Sequence, residues 1–115
     1  MTAVAQETSE TLAAISVGDV AIIDAAIGLR EAHRESVGLD GRTFSLVKIA
    51  ALIAIEAPPA SYAWQVANAL DEGATPEDIL AVLRAVAPQV GGPKVVAAAP
   101  EIMLALGLSL PEAAE

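Results

Sequence analysis

Thr43-Phe44-Ser45-Leu46-Val47-Lys48-Ile49-Ala50-Ala51-Leu52-Ile53-Ala54-Ile55-Glu56-Ala57 is the stretch on which the fold turns. It is apolar on nearly every side, and Lys48 is its only charge between Arg42 and Glu56. The run is longer than an ordinary strand and only modestly β-branched, so it predicts a helix, the central and most buried one. Pro58-Pro59 follows and stops it, because a proline disfavours helical geometry in the residue before it.

A helix that apolar needs cover. The chain has 115 residues, enough for one domain and one core. Its apolar share is 55%, while Phe, Tyr and Trp occur once each. Globular chains average about 45–50% apolar. The surplus, mostly Ala, Val, Leu and Ile, points to a subunit interface rather than a larger core. A membrane is the other sink, and a spanning helix needs about 20 consecutive apolar residues. Lys48 and Glu56 interrupt the first candidate run, and Glu101 interrupts the second, Val95 to Leu110. Glu7 and Glu10 precede any apolar stretch, unlike a signal peptide. The expectation is a cytoplasmic protein with no membrane partner.

Composition excludes several chemistries. A net charge of −9 with six scattered basic residues argues against nucleic acid, which needs clustered Lys and Arg. With no cysteine there is no disulfide, thiolate nucleophile or thiolate metal site. His33 is the only histidine, so a typical zinc or iron site is not expected, nor any cofactor.

Working outward, punctuation places the other helices. A short one runs from Ser9 to Ile15. Ser16 with Asp19 makes a capping-box-like start for a second, which reaches Ser36 with Val20, Ile23, Ile27 and Ala32 on its apolar side. Gly38-Leu39-Asp40-Gly41 reads as a turn. The fourth helix spans Ala60 to Glu72, with Gly73 as its left-handed cap. Thr75-Pro76-Glu77-Asp78 opens the fifth, which should end near Ala87, before Pro88 and Gly91-Gly92. The last runs from Pro93 to Gly107 with a kink at Pro100, and residues 109–115 form a frayed tail. The expected fold is an all-α compact bundle of five or six helices, one domain over residues 1–115, self-associating.

The ordered words Leu39-Asp40-Gly41-Arg42-Thr43, Trp64 to Leu70, Asp71-Glu72-Gly73-Ala74-Thr75-Pro76-Glu77-Asp78-Ile79 and Val86-Ala87-Pro88-Gln89-Val90-Gly91-Gly92-Pro93 resemble the carboxymuconolactone decarboxylase / alkyl hydroperoxidase D-like family over residues 39–108. The resemblance implies an all-α fold assembling as trimers or hexamers. It also implies where reactive groups would lie. The family's Cys-x-x-Cys-x-x-x-His falls on Pro58, Ser61 and Gln65, and its glutamate on Ser45 or Leu46. All are replaced here. A serine hydroxyl cannot stand in for an oxidisable thiolate, so peroxidase and disulfide-reductase activities are rejected. The decarboxylase branch dispenses with the cysteines but uses a histidine at the Gln65 position. Gln65 cannot be a base near neutral pH, yet it can orient a carboxylate or lactone oxygen.

Several residues carry both a functional and a bland reading. Ser61 and Gln65 share a face of the fourth helix, where the resemblance puts a pocket, and Tyr62 and Trp64 flank them. Ser45 and Lys48 are three apart on the preceding helix. Lys48 is either a cation for an anionic substrate or catalytic amine, or a snorkelling side chain whose stem covers apolar surface. Ser45 and Ser61 are substrate hydrogen-bonders or back-bonded hydroxyls. Tyr62 and Trp64 line a pocket or anchor a subunit contact. Glu56 is an active acid or a solvated helix end. His33, among Arg30, Glu31, Arg34 and Glu35, reads as solvated.

Three functions follow as expectations. One is a cofactor-free enzyme on a small carboxylated or lactone substrate, with Lys48, Ser45, Ser61, Trp64 and Gln65 binding and Tyr62 or Glu56 moving protons. Another is a non-catalytic binder of a small anionic metabolite in the same pocket. The third is a structural or scaffold oligomer whose partner is itself.

Overall fold

The computed structural model describes residues 3–19, 21 and 35–112. Its contacts divide into two compact units, residues 1–38 and 39–115. Among the described residues there are five helices and no strand.

The first unit carries α1 (Gln6–Ser16), which begins earlier than its punctuation suggested and buries no residue. Ser16 is its last residue rather than the cap of a following helix. The Ser16 hydroxyl donates to the Ala13 carbonyl at 2.7 Å, the back-bonding that serines adopt inside helices. Val20, Ile23, Ile27, Ala32 and His33, which carried the reading of the expected second helix, lie outside the described residues.

The second unit holds α2 (Gly41–Ile55), α3 (Pro59–Asp71), α4 (Pro76–Val90) and α5 (Gly92–Ala105). Helix α2 packs mainly on α3 and α4, and α5 packs on α3 and α4 and touches α2 as well. Ile49, Ile53, Tyr62, Val66, Ile79 and Ile102 fill the space between them.

Helix α2 starts before Thr43 because Asp40 is a cap, not part of a free turn. Its carboxylate accepts the Thr43 backbone N–H at 2.8 Å and the Thr43 hydroxyl at 3.0 Å. Only one stripe of α2 is buried, Ser45, Ile49 and Ile53 at four-residue intervals. Val47 and Ile55 are 54% and 70% exposed, so burial on all sides is not reached within this chain. Helix α3 buries more, namely Tyr62, Gln65, Val66 and Ala69.

Helix α4 opens on the capping box that the sequence advertised, Thr75 with Asp78. It runs past Ala87 through Pro88 to Val90. A proline there removes only the bond to the carbonyl of exposed Arg84, which water can serve, while Val86 and Val90 both pack on the core. Pro100 likewise lies inside α5. No described helix is long and apolar enough to cross a membrane.

Candidate functional site

The three residues Glu56-Ala57-Pro58 join α2 to α3, and so short a link sets the two helices side by side and antiparallel. Across this pair the Lys48 ammonium lies 5.1 Å from the centre of the Phe44 ring and 5.9 Å from that of Trp64. Phe44 and Lys48 are one turn apart on α2, so the helix itself brings them together. Both distances are within cation–π range. The charge is thus held over two aromatic faces.

Close by are two buried polar side chains, Ser45 on α2 at 5% exposure and Gln65 on α3 at 7%. The Gln65 Oε1 and the Nδ2 of Asn68, three residues further along α3, are both buried without a hydrogen-bond partner. An orphaned buried polar atom costs about 1–3 kcal/mol, and such atoms ordinarily signal something polar that completes the site. Asn68 was not singled out from sequence. Its spacing of three from Gln65 and four from Trp64 was the available signal.

A second group gathers where α2 ends. Glu56 has φ 53 and ψ 55, the only non-glycine residue with positive φ among those described. There the Ala57 N–H donates to the Leu52 carbonyl at 3.0 Å, the same closure that Ala74 makes to Ala69 at 2.9 Å with Gly73 in the equivalent place. Glycine takes this conformation freely, whereas a residue with a Cβ pays about 1–2 kcal/mol. The Glu56 carboxylate also stands at the negative end of the α2 dipole. A compensating cation comes from α5, where the Lys94 ammonium donates to the Ala54 carbonyl at 2.5 Å.

Tyr62, only 2% exposed, sits in the core of its own chain. It is therefore not a subunit anchor. Burial first, then the negative charges of Glu101 and Glu56, push its phenol above the ordinary tyrosine value. The phenol stays protonated through the neutral range and is suited to donating a proton rather than taking one. Glu101, on α5, lines a groove of about 260 Å³ with Pro59, Ala60, Ala63, Leu104 and Ala105. Ser61 is half-buried in the first turn of α3, its backbone N–H donating to the Pro58 carbonyl at 3.0 Å.

The candidates thus fall into two groups. Lys48, Trp64, Gln65 and Ser45 lie along the α2–α3 contact, and Glu56 and Tyr62 lie at its connected end, with Ser61 on the same helix between Gln65 and the link. Among the described residues no group of three or more His, Cys, Asp or Glu side chains could hold a metal ion.

A family model described as the carboxymuconolactone decarboxylase family matches residues 21–102. The chain belongs to that family. The match takes in all of α2, α3 and α4 and begins well before Leu39. No curated protein and no solved structure matches the chain.

Proposed function

We propose that this member of the carboxymuconolactone decarboxylase family binds a small carboxylated or lactone metabolite between α2 and α3, and decarboxylates or isomerises it without thiol or cofactor. One observation carries the reading: an ammonium held over two aromatic rings, beside a buried amide whose carbonyl oxygen has no partner. Lys48 answers a carboxylate. Ser45, Ser61 and Gln65 orient its oxygens, and Trp64 forms an apolar wall. Tyr62 supplies a proton and Glu56 accepts one. With no cysteine in the chain, peroxide reduction has no group to perform it.

Trp64 is the only tryptophan, so its fluorescence reports on this site directly. Propanoate serves as a minimal carboxylate probe. Lys48→Met should weaken propanoate binding by about tenfold or more, the scale of losing one charged partner, while helix content and assembly stay unchanged. Unaltered affinity in that variant would remove Lys48 from the site and end this reading.

A second reading, a trimeric or hexameric scaffold in the cytoplasm whose partner is itself, is favoured by one feature. Val47, Ile55 and Val96 are 54%, 70% and 73% exposed. Under it Lys48→Met would alter only sedimentation or stability.

A further inference from the structure

We propose that the groove between α3 and α5 binds a short alkylamine in its ammonium form, with Glu101 holding the charged head. The groove has a volume of about 260 Å³ and is lined by Pro59, Ala60 and Ala63 from α3 and by Glu101, Leu104 and Ala105 from α5. None of these residues takes part in the α2–α3 site. All but Glu101 are apolar. Ala60, Ala63 and Ala105 present single methyl groups, which leave the space between the two helices unfilled. That volume lies below the roughly 300–1,000 Å³ of sites for drug-sized ligands, so it suits a molecule of a few heavy atoms.

Charge decides what fits that space. Glu101 is half-buried, and among the described residues no hydrogen bond or ion pair reaches its carboxylate. The two helices that form the groove offer it no cation. Helix α3 contains no Lys or Arg, and Lys94, the one cation of α5, is taken by the Ala54 carbonyl. The local field is negative: burial first, then the charges of Glu101 and Glu56, push the Tyr62 phenol upward. A carboxylate against apolar walls gives up hydration with no partner in return, and an ammonium replaces it with a charge-assisted hydrogen bond. An anion is repelled, and a neutral head leaves the charge unanswered. Length follows from the helices. Pro59 to Ala63 and Glu101 to Ala105 each advance four residues, about 6 Å along the axis. A straight chain of about four carbons covers that distance. With the ammonium on Glu101, the chain lies along Leu104 and Ala105, the next turn of α5.

The test titrates the full chain near neutral pH with butylammonium and 1-butanol, which share a carbon chain and differ in the charge of the head. Ligand-detected NMR is the readout. Butylammonium should bind about tenfold tighter than 1-butanol, the scale of one charge-assisted hydrogen bond. Glu101→Gln should bring butylammonium down to the affinity of 1-butanol and leave 1-butanol as it was. Ala63→Leu fills the groove but keeps the carboxylate, and it should weaken both ligands by about tenfold. Circular dichroism checks that each variant is folded, and the comparison within the unaltered protein needs no variant. Equal affinities for the amine and the alcohol would overturn the inference. So would full butylammonium affinity in Ala63→Leu, which would reduce the contact to ion pairing at the surface. If Glu101→Gln instead lowered the sedimentation coefficient and the unaltered protein bound no amine, the groove would belong to a second copy of the chain and the proposal would fail. Propanoate binding read by Trp64 and its loss in Lys48→Met concern the α2–α3 site alone, so the two readings stand or fall separately.

Discussion

Helix α2 is anchored by opposite means at its two ends. At the start, Asp40 caps the first turn, and Arg42 reaches across to α4 with Nη2 at 2.7 Å from Asp78 Oδ1 and Nε at 3.2 Å from Oδ2. The same Asp78 accepts the Thr75 backbone N–H at 2.9 Å, so one carboxylate serves the beginnings of both helices. Each residue there is of the type its position prefers. At the far end the preferences are reversed. A glutamate occupies the left-handed position, and it carries its charge to the negative end of the dipole. What holds that end is tertiary: Ile53 fully buried and Lys94 reaching in from α5. Strain of this kind collects where a chain does something besides fold. Here it falls at a residue whose charge, with that of Glu101, acts on the Tyr62 phenol.

The largest effect should come from the packing that secures the strained end. Ile53→Ala removes a fully buried side chain and should destabilise the protein by about 2–5 kcal/mol in urea unfolding. A loss under about 1 kcal/mol, smaller than the core series to which such sites belong, would mean that the C-terminal end of α2 is not held by burial. The next effect is of opposite sign. Glu56→Gly should raise stability by about 1 kcal/mol or somewhat more, since it relieves both the backbone conformation and the charge at the dipole. Glu56→Ala lifts only the charge and should gain no more than about 0.3–1 kcal/mol. If the two variants gain equally, backbone strain is not what sets this end apart.

How far sequence reached follows the same division. The start of α4 was legible because a capping box is complete within four consecutive residues. Lys48 was legible as the lone charge on an apolar helix, and its neighbour Ser45 came with it by spacing. Phe44 was missed as a partner of that charge, although it lies one turn away. Asn68 was missed because an amide among alanines looks like surface until its burial is known. The influence of the Glu101 charge on Tyr62 joins residues far apart in sequence, and no spacing rule reports it. Pro88 misled because the local rule for proline ignores the hold that the core has on Val90. Asp40 was read as part of a turn because Gly38 and Gly41 frame it, whereas Gly41 is already helical. Errors thus accumulated where tertiary contacts outweigh local preference.

The smallest effect belongs to the well-anchored end, and it appears only in acid. The Thr43 backbone N–H first, then the Thr43 hydroxyl, hold the Asp40 carboxyl below the usual carboxylate range. For Asp78 the Thr75 backbone N–H acts first and the Arg42 guanidinium second. A carboxyl whose folded value lies below its unfolded one binds fewer protons when folded. Its contribution is therefore complete above the unfolded value of about 3.9 and is lost as pH falls through the folded value. Asp40 is exposed and Asp78 is partly so, and water screens both, so the loss should be modest and should shrink further with added salt. Asp40→Asn with Asp78→Asn retains cap-forming residues without the titrating charge. The melting temperature of this double variant should fall less steeply below about pH 4 than that of the unaltered protein. An equally steep fall would place the acid-sensitive carboxylates elsewhere, and the start of α2 would then owe its hold to packing, like its end.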